Sequence, residues 1–261
     1  MSFHFTQIGS DIDGEAFYDI SGDSVSLSSD GTVVAIGARG NDGNGISSGH
    51  VRIYKNINNN WVKIGSDIDG EAAYDQSGSS VSLSADGSIV AIGARGNDGN
   101  GSESGHVRIY KNVNNNWIKV GSDIDGEAAG DLSGASVSLS ADGTIVAIGA
   151  YSNDVKGYMT GHVRIFKNVN NSWTQIGSDI DGEAAGDWSA FMEKSVSLSA
   201  DGTIVAIGAQ RNDGNKADGS VIEDSGHVRI YRNINNNWTQ IGSDIDGADV
   251  FDLSGNSVSL S

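Results

Sequence analysis

The string Ser-Asp-Ile-Asp-Gly begins at Ser10, Ser66, Ser122, Ser178 and Ser243, a period of 56 residues kept three times and then stretched to 65. Such a chain builds units that bury their apolar faces against their neighbours, so the repeat limits the fold more than any other feature. In the second period the apolar segments are 81–84, 89–94, 106–110 and 117–120, here called a, b, c and d. They are short, rich in β-branched and aromatic residues, and alternate in polarity, which is the pattern of strands. Asp86-Gly87 between a and b predicts a two-residue type I′ hairpin turn, because both residues tolerate positive φ. Asn114-Asn115-Asn116 serves a similar purpose between c and d. Alternation places Val107 and Ile109 opposite to His106, Arg108 and Tyr110, and Ala91 and Gly93 opposite to Val90 and Ile92.

Sheets with two apolar faces need neighbours on both sides. Four-stranded antiparallel units stacked in a ring, as in a β-propeller, meet that need and protect the sheet edges. An open solenoid of the same sheets is the second solution. Residues 1–261 therefore read as one repeat-built, all-β domain. Segment d occurs five times, first over Phe5 to Ile8, and a also five times, but b and c only four times each. The expected fold is four complete blades with an N-terminal strand d and a C-terminal strand a of an incomplete fifth.

Composition excludes other classes. The 261 residues contain no cysteine, so disulfide scaffolds, Cys-based zinc sites and Cys nucleophiles are absent. A formal charge of −18 is the wrong sign for nucleic-acid phosphates or an anionic membrane surface. No run of 18 apolar residues is present, and the first residues do not read as a signal peptide.

The repeats carry Gly-Ala at Gly37-Ala38, Gly93-Ala94, Gly149-Ala150 and Gly208-Ala209, and Gly-x-Val-x-Ile-aromatic segments starting at Gly49, Gly105, Gly161 and Gly226. On these residues the chain resembles the FG-GAP repeat, the blade unit of integrin α-subunit propellers and of many bacterial, algal and viral surface proteins. The FG element is reduced to Ser-Gly, at Ser21-Gly22, Ser77-Gly78, Ser133-Gly134 and Ser254-Gly255. Arg39, Arg95, Tyr151 and Gln210 stand where the family has the proline of GAP. The resemblance implies a propeller and, in integrin-type members, a calcium loop between a and b. Here that loop holds one carboxylate per repeat.

The acids lie elsewhere. Asp67, Asp69, Glu71 and Asp75 recur as Asp11, Asp13, Glu15 and Asp19, again in the third and fourth periods, and in altered form as Asp244, Asp246, Asp249 and Asp252. Two readings stay open: carboxylates that cap turns through backbone N–H groups, which is preferred, and oxygen ligands for calcium. No other cofactor is expected. His50, His106, His162 and His227 recur four times, which implies a shared structural task such as a hydrogen bond at the loop entrance. Arg52, Arg108, Arg164 and Arg229 are expected to meet the repeated carboxylates, and the tryptophans that open strand d read as packing anchors. No unique nucleophile, base and oxyanion set stands out, so an enzyme is not expected.

Antiparallel blades send the d–a and b–c loops to one side. The acids lie there, as do the extra residues of the fourth period, in Trp188 to Lys194 and in the b–c loop extended through Lys216 to Asp224. The residues that differ between repeats, Arg39, Arg95, Tyr151, Gln210 and Arg211, are the candidate ligand-contacting side chains. The expected function is a non-enzymatic binding or adhesion module that recognises protein or glycan at a cell or virion surface, without nucleic acid or membrane insertion. The alternative is a structural spacer or assembly unit of a larger surface protein.

Overall fold

The computed structural model describes residues 6–215 and 221–261. Among these residues there is no helix; the strands form four antiparallel blades and one two-stranded ladder, Gly214–Asn215 with Val221–Ile222, inside the fourth b–c loop. Strand a spans Ser21–Leu27, Ser77–Leu83, Ser136–Leu139 and Val196–Leu198. Strand b spans Val33–Ala38, Ile89–Ala94, Ile145–Ala150 and Ile204–Ala209. Strand c spans His50–Ile57, His106–Val113, His162–Val169 and His227–Ile234. Strand d spans Asn60–Lys63, Asn116–Lys119, Ser172–Gln175 and Asn237–Gln240. After a short break each d is continued by a two-residue strand e, at Ile68–Asp69, Ile124–Asp125, Ile180–Asp181 and Ile245–Asp246, which pairs with the start of c.

The type I′ turn sits between c and d, not between a and b. Asn114 and Asn115 have φ of 53° and 64°, and Val113 pairs with Asn116 across a two-residue loop. Both central residues of a type I′ turn need positive φ, which asparagine tolerates. In the a–b turn only Gly87 is left-handed, at φ 69°. Asp86 folds back instead, accepting hydrogen bonds from Ser84 Oγ at 2.7 Å and from Ser88 N and Oγ at 2.9 Å. That carboxylate, in the loop where the resemblance implies calcium, is thus consumed by its own turn.

Three cores lie between the four blades, so blades 2 and 3 are buried on both faces. Blade 1 contributes Ala35, Val51, Ile53 and Ile68 to its shared core with blade 2, which contributes Leu83, Val90 and Ile92, with Tyr110 and Trp117 at the margin. The same positions rebuild this core between blades 2 and 3 and between blades 3 and 4. Two hydrogen-bonded seams fix the stacking. Near the axis, Leu83, Leu139, Leu198 and Leu260 donate their N–H to Ser26, Ser82, Ser138 and Ser197 Oγ at 2.9–3.0 Å. At the rim, Trp61, Trp117, Trp173 and Trp238 Nε1 donate to the carbonyls of Ile8, Ile64, Val120 and Ile176 at 2.8–2.9 Å.

The terminal segments keep these seams without ladders of their own. Phe5 lies outside the described residues; residues 6–8 and 257–261 are not in strands, having no strand b or c of their own blade to pair with. The outer faces of the array are correspondingly open. Leu27 of blade 1 is 57% exposed where Leu83, Leu139 and Leu198 are 5–7% exposed.

Candidate functional site: the loop face

The b–c loop of each blade is zipped to the d–a loop that follows it. Tyr74 N donates to Ile46 O at 2.7 Å, Gln76 N to Ser47 O at 3.0 Å and Ser77 N to Ser48 O at 2.9 Å, while Asn44 Nδ2 donates to the carbonyls of Gly70 and Glu71 at 2.9 Å. Long loops without secondary structure are thereby given fixed positions.

Within these loops the repeated acids divide their tasks. Asp75 is buried, and its Oδ2 accepts from Glu71 N at 3.0 Å, Ala72 N at 2.9 Å and Asn97 Nδ2 at 3.2 Å. This is the turn-capping role, and Asp19, Asp187 and Asp252 repeat it. Asp67 pairs with Lys63 at 2.7 Å. Glu71 faces the guanidinium of Arg108, which crosses from the next blade, at 3.5 Å, and Arg108 also donates to the Asp69 carbonyl at 2.7 Å. Arg52, Arg164 and Arg229 make the same two contacts.

The strand-c histidines differ from expectation. Nε2 of His50, His106, His162 and His227 is buried without a hydrogen-bond partner. Burial pushes all four pKa values below the usual imidazole range despite the surrounding carboxylates, so the rings are neutral near pH 7.

The candidate ligand-contacting residues divide between two cavities and the aromatic cluster of the fourth-period insertion. Arg39 pairs with Asp23, and Arg95 Nε donates to Gln76 Oε1 at 3.0 Å. Both arginines line a cavity of about 200 Å³ with Asp23, Ser79, Glu193, and Phe191 and Met192 from the fourth-period insertion. Tyr151 packs edge-on against Phe191 at 4.6 Å, and Phe191 lies 4.7 Å from Trp188. The Arg211 guanidinium stacks 4.1 Å over Trp188 and reaches Asp224 at 3.5 Å. Gln210 is buried and presents little to a ligand. Residues 216–220 of the b–c extension, including Lys216, lie outside the described residues.

Glu193 is the titrating group of this cavity. Burial first, then the nearby Asp23 carboxylate, raises its pKa to about 7, against the opposing charges of Arg39 and Arg95. Its folded pKa therefore exceeds its ordinary value of 4.5. Between those two values the native state holds the proton more tightly than the unfolded chain, so stability from this group is full at low pH and falls as pH rises to about 7. Replacing Glu193 by Gln is expected to remove that component. Thermal midpoints of the two proteins should nearly coincide near pH 4.5 and separate in favour of the variant by pH 7; parallel curves would assign the proton elsewhere.

A further set of side chains carries no sequence motif. Tyr18, Tyr74 and Phe251 occupy one equivalent position of the d–a loop, with φ of 71°, 70° and 63°. They are 81%, 60% and 60% exposed. Two other repeats place Gly130 and Gly186 there. A non-glycine residue in this left-handed conformation costs roughly 1–2 kcal/mol, and an exposed ring recovers little of it by packing. The clue legible in the sequence is the exchange of aromatic residues with glycine at one position of the repeat.

Residues 67–110 match the FG-GAP repeat. The fold is similar to that of a putative 6-phosphogluconolactonase from Bacteroides uniformis, with a TM-score of 0.56 and 14% identity over 87% of this chain and 55% of the other. It is also similar to the hydrazine synthase of Kuenenia stuttgartiensis, with a TM-score of 0.51 and 13% identity over 84% of this chain and 53% of the other. This chain thus spans a little over half the length of each. No curated protein matches the sequence. At such identities the likeness concerns the fold alone: a propeller-like, all-β array carrying an FG-GAP repeat.

Proposed function

We propose that this protein is a non-enzymatic recognition module that engages a protein or glycan through its loop face, at a cell or virion surface. The observation that carries the reading is the retention of exposed aromatic side chains at Tyr18, Tyr74 and Phe251, where glycine would relieve backbone strain. Strain held at an exposed position points to function, and exposed aromatic rings are the residues that dominate recognition energetics. Phe17, in the first d–a loop, and Tyr158, in the third b–c loop, add exposed rings to the same side. Arg95, Tyr151 and Arg211 lie about the fourth-period insertion, Arg95 beside Phe191 in one cavity, Tyr151 against Phe191 and Arg211 over Trp188. The FG-GAP repeat, typical of extracellular proteins, supports the surface location.

The test pairs stability with binding. Replacing Tyr74 by Gly is expected to leave the protein as stable or up to about 1 kcal/mol more stable, while weakening capture on a glycan array or on intact cells. Arg95→Ala, Tyr151→Ala and Arg211→Ala should weaken capture as well. Asn116→Ala, on the opposite side, should leave it unchanged. Asn116 is preferred to Asn114 or Asn115 as a control because those two hold the positive φ of the turn. Equal losses from both sides, with stability intact, would favour the spacer or assembly role.

A further inference from the structure

Four times in the described residues, a glutamate from a d–a loop, the histidine that opens strand c and the aspartate before strand e bring one ligand atom each within 4.8 Å of one another. The sets are Glu15, His50, Asp67; Glu71, His106, Asp123; Glu127, His162, Asp179; and Glu183, His227, Asp244. We propose that these four clusters are sites for a divalent transition metal of the zinc type. The inference is independent of the recognition function and rests on different residues.

The imidazole is the observation that separates these clusters from ordinary surface acids. His162 is fully buried, its Nδ1 has no hydrogen-bond partner, and that nitrogen faces Glu127 Oε2 at 3.8 Å. In the fourth cluster His227 Nδ1 faces Glu183 Oε2 at 3.8 Å and Asp244 Oδ2 at 3.9 Å. These separations are too long for hydrogen bonds. Donors at about 2.0–2.2 Å from a tetrahedral zinc lie about 3.3–3.5 Å apart, so atoms now within 4.8 Å of one another reach that geometry by closing by at most about 1.5 Å, which the half-exposed glutamate side chains can supply.

The donor chemistry chooses the metal. One neutral imidazole nitrogen with two carboxylate oxygens suits zinc and its neighbours, whereas calcium takes oxygens alone and six or more of them. Each carboxylate has its other oxygen occupied. In the fourth cluster Glu183 Oε1 faces Arg229 at 3.5 Å and Asp244 Oδ1 accepts from Gln240 Nε2 at 2.5 Å, which leaves Oε2 and Oδ2 turned toward the histidine. Such outer contacts orient ligands. Solvent reaches the first two clusters through open clefts of about 380 and 310 Å³ lined by Asp67 and Asp123, and the other two through the part-exposed side chains of Glu127, Glu183 and Asp244.

The four sites are not equal. Asp67 and Asp123 are held by Lys63 and Lys119, but Asp179 and Asp244 by the neutral Gln175 and Gln240. An added positive charge beside the ligand opposes a cation, so the third and fourth clusters bind more tightly than the first two.

Calorimetric titration of EDTA-stripped protein with zinc chloride, with thermal melts in parallel, tests this. The expected result is four equivalents in two classes, two tighter and two weaker, and a melting temperature that rises with zinc. His162→Ala should remove one tight equivalent. Asp179→Asn, an accessible position that spares the buried ring, should weaken that equivalent by about tenfold or more. Lys119→Gln should tighten one weak equivalent roughly twofold to fivefold. No zinc binding, zinc binding unchanged in both His162→Ala and Asp179→Asn, or calcium filling the same equivalents regardless of the histidine would each overturn the proposal.

Discussion

Alanine at Gly93 is expected to destabilise the protein by roughly 3 kcal/mol, lowering the thermal midpoint by roughly 6–12 °C for a chain of this size. The reason is the seam between blades. A Cβ on Gly93 would lie 2.0 Å from the Gly134 carbonyl oxygen of the next blade's entry loop and 2.4 Å from Ser80 Oγ, itself bonded to that carbonyl at 2.7 Å. Neither neighbour is the free end of a flexible side chain, so the methyl is admitted only by moving backbone apart. Gly130 is the control. It has positive φ, 83°, but nothing within 4 Å of its Cβ position, so alanine there costs only the conformational strain, about 1 kcal/mol. Equal midpoints for the two variants would remove the close approach as the reason for this glycine.

The glycine explains why the Gly-Ala signature was legible and its mechanism was not. A recurring Gly-Ala marks a shared local requirement, but the obstructing atom belongs to Gly134, some forty residues later in the chain. Strands, blade order and the burial of both sheet faces followed from alternation and period, because those depend on neighbours within one repeat. The placement of the type I′ turn did not. Asp-Gly and Asn-Asn both permit it, and pairing decided the matter: Val113 opposes Asn116 directly, while the a–b connection is held by Asp86 and the Ser84 hydroxyl.

The loop face was harder to read. Variation between repeats pointed to Arg39, Arg95, Tyr151 and Arg211, and the fold gathers Arg39 and Arg95 about one cavity while Tyr151 and Arg211 pack on the aromatic residues of the fourth-period insertion. It buries Gln210 all the same. Tyr18, Tyr74 and Phe251 carry no motif, because what sets them apart is a dihedral angle. Exposed aromatic residues are ordinary; exposed aromatic residues held where two sister repeats have glycine are not.

Removing the Arg108 guanidinium is expected to cost about 3 kcal/mol, and the size of its partners' separate effects identifies the source. Two contacts compete for the explanation. The ion pair with Glu71 spans 3.5 Å, but the glutamate side chain is 46% exposed, whereas that of the arginine is only 6% exposed. Water screens such a pair to at most about 1 kcal/mol. The second contact is the donation to the Asp69 carbonyl at 2.7 Å, a hydrogen bond from a charged group worth about 1.5–3 kcal/mol. The side chain also lies over the Tyr110 ring at 5.7 Å and fills the space between blades, so truncation loses packing as well. The backbone contact and packing therefore outweigh the salt bridge. Urea unfolding of Arg108→Ala, Glu71→Gln and the double variant decides between them: the arginine change should account for nearly all the loss, with Glu71→Gln below about 1 kcal/mol and a coupling energy no larger. A Glu71→Gln loss as large as that of Arg108→Ala would make the ion pair, not the carbonyl bond, the tie that joins each loop to the next blade.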